Sequence, residues 1–159
     1  MRVILLSALA VFGIDQFSKW AVVHKMNLIE RLSVDVLPPL LNFRMGWNTG
    51  INFGLFSDSP EIMRYVLVAL AIVVSCFLLW WGNRNLGRTI TQMGAGAIIG
   101  GALANALDRV LYGAVADFLN MSCCGISNPY TFNIADIGIF AGAFALVAFD
   151  DTKGEHKSG

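Results

Sequence analysis

Charge is what this sequence has least of. Only 14% of its 159 residues are Asp, Glu, Lys or Arg, far below the roughly 25% of an average soluble domain, while 56% are hydrophobic. That balance excludes a water-soluble globular domain. The few charges cancel, 11 basic against 11 acidic, so no basic field argues for nucleic acid. Three cysteines are too few for a disulfide framework. Cys76 lies inside an apolar run and reads as packing. Cys123 and Cys124 are adjacent, with no nearby His and no Cys-x-x-Cys spacing for zinc. Neighbouring cysteines bridge only with strain, so both read as small loop residues. Internal repeats and low-complexity linkers are also lacking.

What the chain does have is long uncharged apolar runs, and a bilayer span takes about 20 residues. Residues 65–81 and 89–107 are such runs; residues 3–23, carrying Asp15 and Lys19, and 132–149, carrying Asp136, are weaker ones. The expectation is an all-α membrane bundle of four transmembrane helices with a small extracytoplasmic β-sheet or loop cap. It forms a single integral membrane domain, 1–159, with spans near 3–23, 62–82, 89–111 and 134–150 and outer segments 24–61 and 112–133. Arg2 and the small residues Ser7-Ala8-Leu9-Ala10 look like a signal peptide. The apolar stretch runs on to Asp15-Gln16, however, which predicts an uncleaved first span.

Loop charge sets the orientation. The short loop 82–88 carries Arg84 and Arg88 with no acid, whereas 24–61 mixes Lys25, Arg31 and Arg44 with Glu30, Asp35, Asp58 and Glu61. The positive-inside rule puts the short loop and both termini in the cytoplasm. Asp15, Lys19, Asn105, Asp108, Arg109, Asp117 and Asp136 then all converge on the outer surface. Gly94, Gly96, Gly100 and Gly101 belong to scaffold packing. Trp80 and Trp81 suit an interface, and Ser59-Pro60-Glu61 opens the second span. Leu41, Phe43, Met45 and Trp47 alternate with polar or small residues, a strand period. Asn48-Thr49-Gly50 is a turn signal, after which Ile51, Phe53 and Leu55 resume the alternation.

An acid at the edge of a hydrocarbon slab is costly unless paired, so Asp117 and Asp136 are candidate functional groups. Taken alone, Asp117 reads as a loop carboxylate and Asp136 as an acid at a helix N-terminus. Brought together, two carboxylates hold one proton between them: the ionised one takes a proton from water while the other polarises a carbonyl. Asn133 sits one helical turn before Asp136 and can orient a carboxylate or a substrate backbone. Asn105, Asp108 and Arg109 share a helix face, with Asp108 and Arg109 read as a structural pair and Arg109 free to reach a backbone carbonyl instead. Asp15 and Lys19 read as an intrahelical ion pair. No metal site or cofactor is expected. A proton- or ion-coupled transporter would step its carboxylates across the bilayer instead of clustering them. A purely structural subunit would lose stability, and no activity, on amide replacement of either aspartate.

Five blocks occur in order: Asp15-Gln16-Phe17-Ser18-Lys19; Asn48-Thr49-Gly50-Ile51-Asn52-Phe53-Gly54; Gly100-Gly101-Ala102-Leu103-Ala104-Asn105-Ala106-Leu107-Asp108-Arg109; Val115-Ala116-Asp117-Phe118; and Phe132-Asn133-Ile134-Ala135-Asp136. Together they span nearly the whole chain and resemble the lipoprotein signal peptidases (signal peptidase II), bacterial membrane aspartic proteases. The resemblance implies cleavage of prolipoproteins just before a diacylglyceryl-modified cysteine, inhibition by globomycin, and residence in the bacterial cytoplasmic (inner) membrane. It implies a catalytic pair at Asp117 and Asp136, with Asp15, Lys19, Asn48, Gly50, Asn105, Arg109, Asn133 and Ala135 in support. The partners implied are the lipidated substrate and membrane lipids, for a monomeric chain. Asn52 stands where the family usually has alanine, and Ala104 where it commonly has glycine.

Overall fold

The computed structural model describes residues 1–50, 60–125 and 128–149. Helix α1 (Arg2–Lys19) continues without a break into a π-helical stretch (Trp20–Lys25), followed by a single turn, α2 (Leu28–Arg31). Two strands follow, β1 (Ser33–Leu37) and β2 (Leu41–Asn48). Then come α3 (Pro60–Asn85), α4 (Thr89–Tyr112), β3 (Val115–Asn120) and α5 (Ile134–Ala148). Three stretches, Arg2–Lys25, Glu61–Asn85 and Thr89–Tyr112, are long and apolar enough to cross a membrane; α5 is apolar but has 15 residues.

Helix α3 starts at Pro60, whose fixed φ and missing N–H suit a first helical position, with Glu61 in its first turn. It is apolar all round and mostly exposed along its length, as a lipid-facing helix is. Cys76, expected to be packed, is exposed on this helix. Helix α4 is central, and its small residues are the reason. A Cβ on Gly96 or Gly100 would run into the backbone of α1 at Ile4 or Ala8, and one on Gly94 would lie 2.8 Å from the Gly142 carbonyl of α5. Such contacts let membrane helices approach closely. Gly101 is part of this set and reaches further than scaffold: a Cβ there would lie 2.5 Å from the carbonyl of Ala135, the residue before Asp136.

The strands form one antiparallel sheet in the order β1-β2-β3. β2 matches the alternation seen in the sequence. Its neighbours are β1 and β3, and residues 51, 53 and 55, where the alternation resumes, lie outside the described residues, as does Ser59. Phe118 and Ala116 on β3 pack with Val22 and Val23 of the π-helical stretch and Leu28 of α2, and Phe43 and Met45 join them. Side chains alternate along a strand, so this apolar face turns Asp117 to the other side. β3 is therefore a strand where a loop was expected. The register slips by one residue between Phe43 and Gly46, opposite Leu119 and Asp117, a bulge of the kind that re-aims a side chain. Beyond β3, Cys123 and Cys124 are joined by a disulfide, with Cys124 in the left-handed region (φ 59°); they are not the unbonded loop residues expected.

Candidate active site

Asp136 is placed by its own helix start. Asn133 is the N-cap of α5; its side-chain oxygen accepts from the Asp136 N–H at 2.9 Å, and the Asp136 carboxylate accepts from the Asn133 N–H at 3.2 Å. This reciprocal capping box satisfies two otherwise orphaned donors and fixes the carboxylate in the first turn. The Asn133 amide remains free to donate elsewhere. It does so to Asp117 Oδ1 at 2.6 Å and to Asn105 Oδ1 at 3.1 Å. One asparagine thus ties the two aspartates together.

Asp117 is 3% exposed. Its second oxygen accepts from Asn48 Nδ2 at 3.2 Å, and Asn48 Oδ1 accepts from the Gly50 N–H at 2.9 Å, closing an Asx-type turn. Gly50 has φ 79°, which its lack of a side chain permits; a Cβ there would meet Leu67 Cδ1 and lie 3.8 Å from Arg109 Nη2. Burial, and next the charge of Asp136, push the Asp117 carboxyl up from 3.8 to about 6, against the opposing hydrogen bonds from Asn48 and Asn133.

Asn105 on α4 completes the link. Its amide donates to Asp136 Oδ1 at 3.0 Å, and its oxygen accepts from Asn133 and, at 3.4 Å, from Lys19 Nζ. Arg109, one turn on, donates from Nη1 to the Asn105 carbonyl at 3.3 Å, and its buried Nε has no partner among the described residues. Of the two partners weighed for it from the sequence, the backbone carbonyl is the one it meets.

Beneath this layer lies a second one that the sequence shows only in part. Asp15 and Lys19 do form an ion pair, at 2.7 Å, but Lys19 makes an equal one, 2.7 Å, to Asp108. All three side chains are buried. The Asp15 carboxylate accepts from the Ala135 N–H at 2.8 Å, and the Asp108 carboxylate from the Ala116 N–H at 3.1 Å. Each supporting carboxylate thus holds the backbone of the residue just before one of the two aspartates, and Lys19 bridges the supports. Gln16 adds a bond to Asp108 at 3.0 Å. Asp108, read as the structural partner of Arg109, is instead the anchor of β3; Gln16 was not singled out at all. The only sequence signal for Asp108 is its place one turn after Asn105 on the same face.

Each acid of the pair lines its own concavity. An apolar groove of about 460 Å³ runs along α5 past Asp136, lined by Phe132, Ile137, Phe140 and Ala141. A polar cleft of about 230 Å³ opens on Asp117 between the end of β2 and residues 129–131. Among the described residues no cluster of three or more His, Cys, Asp or Glu side chains is arranged to hold a metal ion.

Bilayer-length apolar helices, with two carboxylates from β3 and the start of α5 joined through asparagine amides, define a membrane protein with a paired-acid site. The chain belongs to the signal peptidase II family, and so to a family of peptidases: a family model described as signal peptidase (SPase) II matches residues 7–150. It is 38% identical over 143 residues to the lipoprotein signal peptidase of Methylobacterium sp. (strain 4-46), covering 90% of this chain and 85% of that one. It is 36% identical over 159 residues to that of Alteromonas mediterranea, covering 99% and 85%. A solved bacterial membrane enzyme matches the fold with a TM-score of 0.80 at 25% identity, covering 96% of this chain and 95% of the other. A second matches with a TM-score of 0.75 at 26% identity, covering 100% and 95%.

Proposed function

We propose that this chain is an aspartic endopeptidase that removes the signal peptide from diacylglyceryl-modified prolipoproteins, cleaving before the lipidated cysteine. The observation that carries this reading is the shared Asn133 amide between Asp117 and Asp136, together with an Asp117 carboxyl pushed up to about 6. A carboxyl that keeps its proton beside an ionised neighbour is what water activation by an acid pair needs. Asp117, the more buried, holds the proton and polarises the scissile carbonyl. Asp136, half-buried and open to the apolar groove, is the base that takes a proton from the attacking water. The water oxygen joins the carbonyl carbon and the C–N bond breaks. The cysteine nitrogen leaves as an amine carrying the proton that Asp117 gives up through the intermediate.

Asn48, Asn105, Arg109 and Asn133 orient the pair and the substrate backbone, while Asp15, Lys19, Gly50 and Ala135 hold those groups in place. The groove along α5 suits a substrate whose acyl chains lie in lipid. The bundle has four spans, with α5 as the fourth. At about 22 Å for 15 residues it is shorter than a hydrocarbon core of about 30 Å, a mismatch that local thinning of the bilayer absorbs. The chain is a monomer in the bacterial inner membrane, with both termini in the cytoplasm, the acid pair at the outer surface, lipids around it and globomycin as an inhibitor. No cofactor takes part.

The test is a gel-shift assay of the purified chain on one precursor prepared with and without its diacylglyceryl group. Cleavage of the lipidated form, sensitive to globomycin, with little or none of the bare form is the expected result. Equal rates on both would remove lipid recognition from the account.

A further inference from the structure

The paired-acid site has two mouths, and their chemistry differs. The groove beside Asp136 is walled by Phe132, Ile137, Phe140 and Ala141. The cleft beside Asp117 is walled by Asn48, Thr49, Pro129, Tyr130 and Thr131. A precursor crossing the site has a matching asymmetry: an apolar signal helix before the scissile bond, and after it a cysteine whose acyl chains lie in lipid while the polypeptide that follows is hydrophilic. Resting on the endopeptidase reading above, we propose that the polar cleft is a binding subsite for the two or three residues that follow the lipidated cysteine, and that it selects small side chains there.

The cleft is built and not incidental. Its far wall is locked to β3 by a side chain with no exposure: Asn120 donates both amide hydrogens, to the Asn128 carbonyl at 2.8 Å and the Tyr130 carbonyl at 2.9 Å. Tyr130 N–H is held in turn by Asn128 Oδ1 at 3.0 Å. One residue beyond the cleft wall, Phe132 and Leu119 exchange two backbone hydrogen bonds, at 2.8 and 3.0 Å. The near wall is the end of β2, fixed on β3 by pairing through Gly46, Trp47 and Asn48. The walls meet at their base, where the space a Cβ on Gly46 would need is filled by Thr131 Oγ1. Preformed walls bind an extended segment with little ordering cost.

Size decides what fits. At about 230 Å³ the cleft is below the roughly 300–1,000 Å³ of pockets that hold drug-sized ligands. It admits a short run of small residues, and two large side chains would have to displace the walls. Tyr130 stands at the rim, 74% exposed, an aromatic with one polar tip of the kind that contacts peptides without losing much side-chain freedom. The hydroxyl and amide groups of Thr49, Thr131 and Asn48 supply polar partners along the path.

The test uses the full-length chain in detergent and lipidated precursors that differ only in the two residues after the cysteine, Ser-Ser against Trp-Trp. The wild type is expected to favour Ser-Ser by about tenfold in kcat/KM, the scale on which a tight pocket discriminates. Tyr130→Ala, at an exposed position whose loss leaves the fold intact, opens the rim and reduces the preference to about threefold or less; Tyr130→Phe keeps it. A bulky residue placed three positions before the cysteine gives the same relative rates with Tyr130 and with Tyr130→Ala. Equal kcat/KM for Ser-Ser and Trp-Trp in the wild type, or a preference that Tyr130→Ala does not change, overturns the subsite while leaving the peptidase reading intact. Failure to cut the Ser-Ser precursor at all overturns that reading and the subsite with it.

Discussion

Replacing Asp117 with asparagine should change the pH dependence of folding stability in a direction opposite to that of an ordinary acid. Most carboxylates are held below their unfolded pKa, so acid destabilises the fold. Asp117 is buried beside another acid, and its carboxyl rises from 3.8 to about 6. The folded state therefore binds its proton more tightly than the unfolded chain does. The stabilisation is fully present below about 3.8 and is lost as the pH climbs through about 6. At about 1.36 kcal/mol per pKa unit the whole effect is about 3 kcal/mol, of which about 2 kcal/mol is lost between pH 4 and pH 7. An amide at this position carries no charge and removes that slope. It also brings a donor against either Asn48 or Asn133, both of which donate to Asp117, at a cost of about 1–3 kcal/mol that does not vary with pH. The stability of Asp117→Asn minus that of wild type should thus start below zero near pH 4 and rise by about 2 kcal/mol towards pH 7. Chemical unfolding in micelles, followed by the fluorescence of the four tryptophans, measures both proteins at each pH, and slopes common to both cancel. A difference that stays flat from pH 4 to 7, or falls, refutes the placement of a proton on Asp117.

Other consequences follow from the second layer and the glycine contacts. Lys19→Met leaves Asp15 and Asp108 buried without their shared cation and should destabilise the protein by about 3–5 kcal/mol in the same unfolding assay. Asn133→Ala removes the α5 cap, at about 0.5–2 kcal/mol, and also the bond between the two aspartates, so activity should fall far more than the stability loss explains. Gly101→Ala should cost about 1–3 kcal/mol and depress cleavage, because the added methyl meets the Ala135 carbonyl. Gly82→Ala is its control: a methyl there lies 3.2 and 3.3 Å from the ends of the Leu86 and Ile4 side chains, which can turn aside, and stability should stay level or rise by about 0.5–1 kcal/mol.

The helical frame was legible because apolar runs report it directly: residues 65–81 and 89–107 lie inside α3 and α4. β2 was legible from its period of two. β3 was not, because a strand covered on both faces loses its alternation: Val115, Ala116, Asp117 and Phe118 are all buried. The reach from Asn133 to Asp136 could be read from spacing, since a capping box is local. Asp108 could not be understood that way, for its cation lies on α1, 89 positions away in sequence, and its other partners are Gln16 on α1 and a backbone N–H on β3. The sequence placed Asp108 beside Arg109 and the fold placed it beside Lys19. Gln16 carried no pattern of its own, and composition does not announce the bond between Cys123 and Cys124.

The central claim is that Asp117 and Asp136 act as one unit on a peptide bond. Purified Asp117→Asn and Asp136→Asn proteins, each shown to be folded, are assayed beside wild type under single-turnover conditions on a diacylglyceryl-modified prolipoprotein. The account predicts that each substitution alone lowers the cleavage rate by about 10³-fold or more, and that the double variant is scarcely slower than either. Cleavage by either single variant within about tenfold of wild type contradicts it.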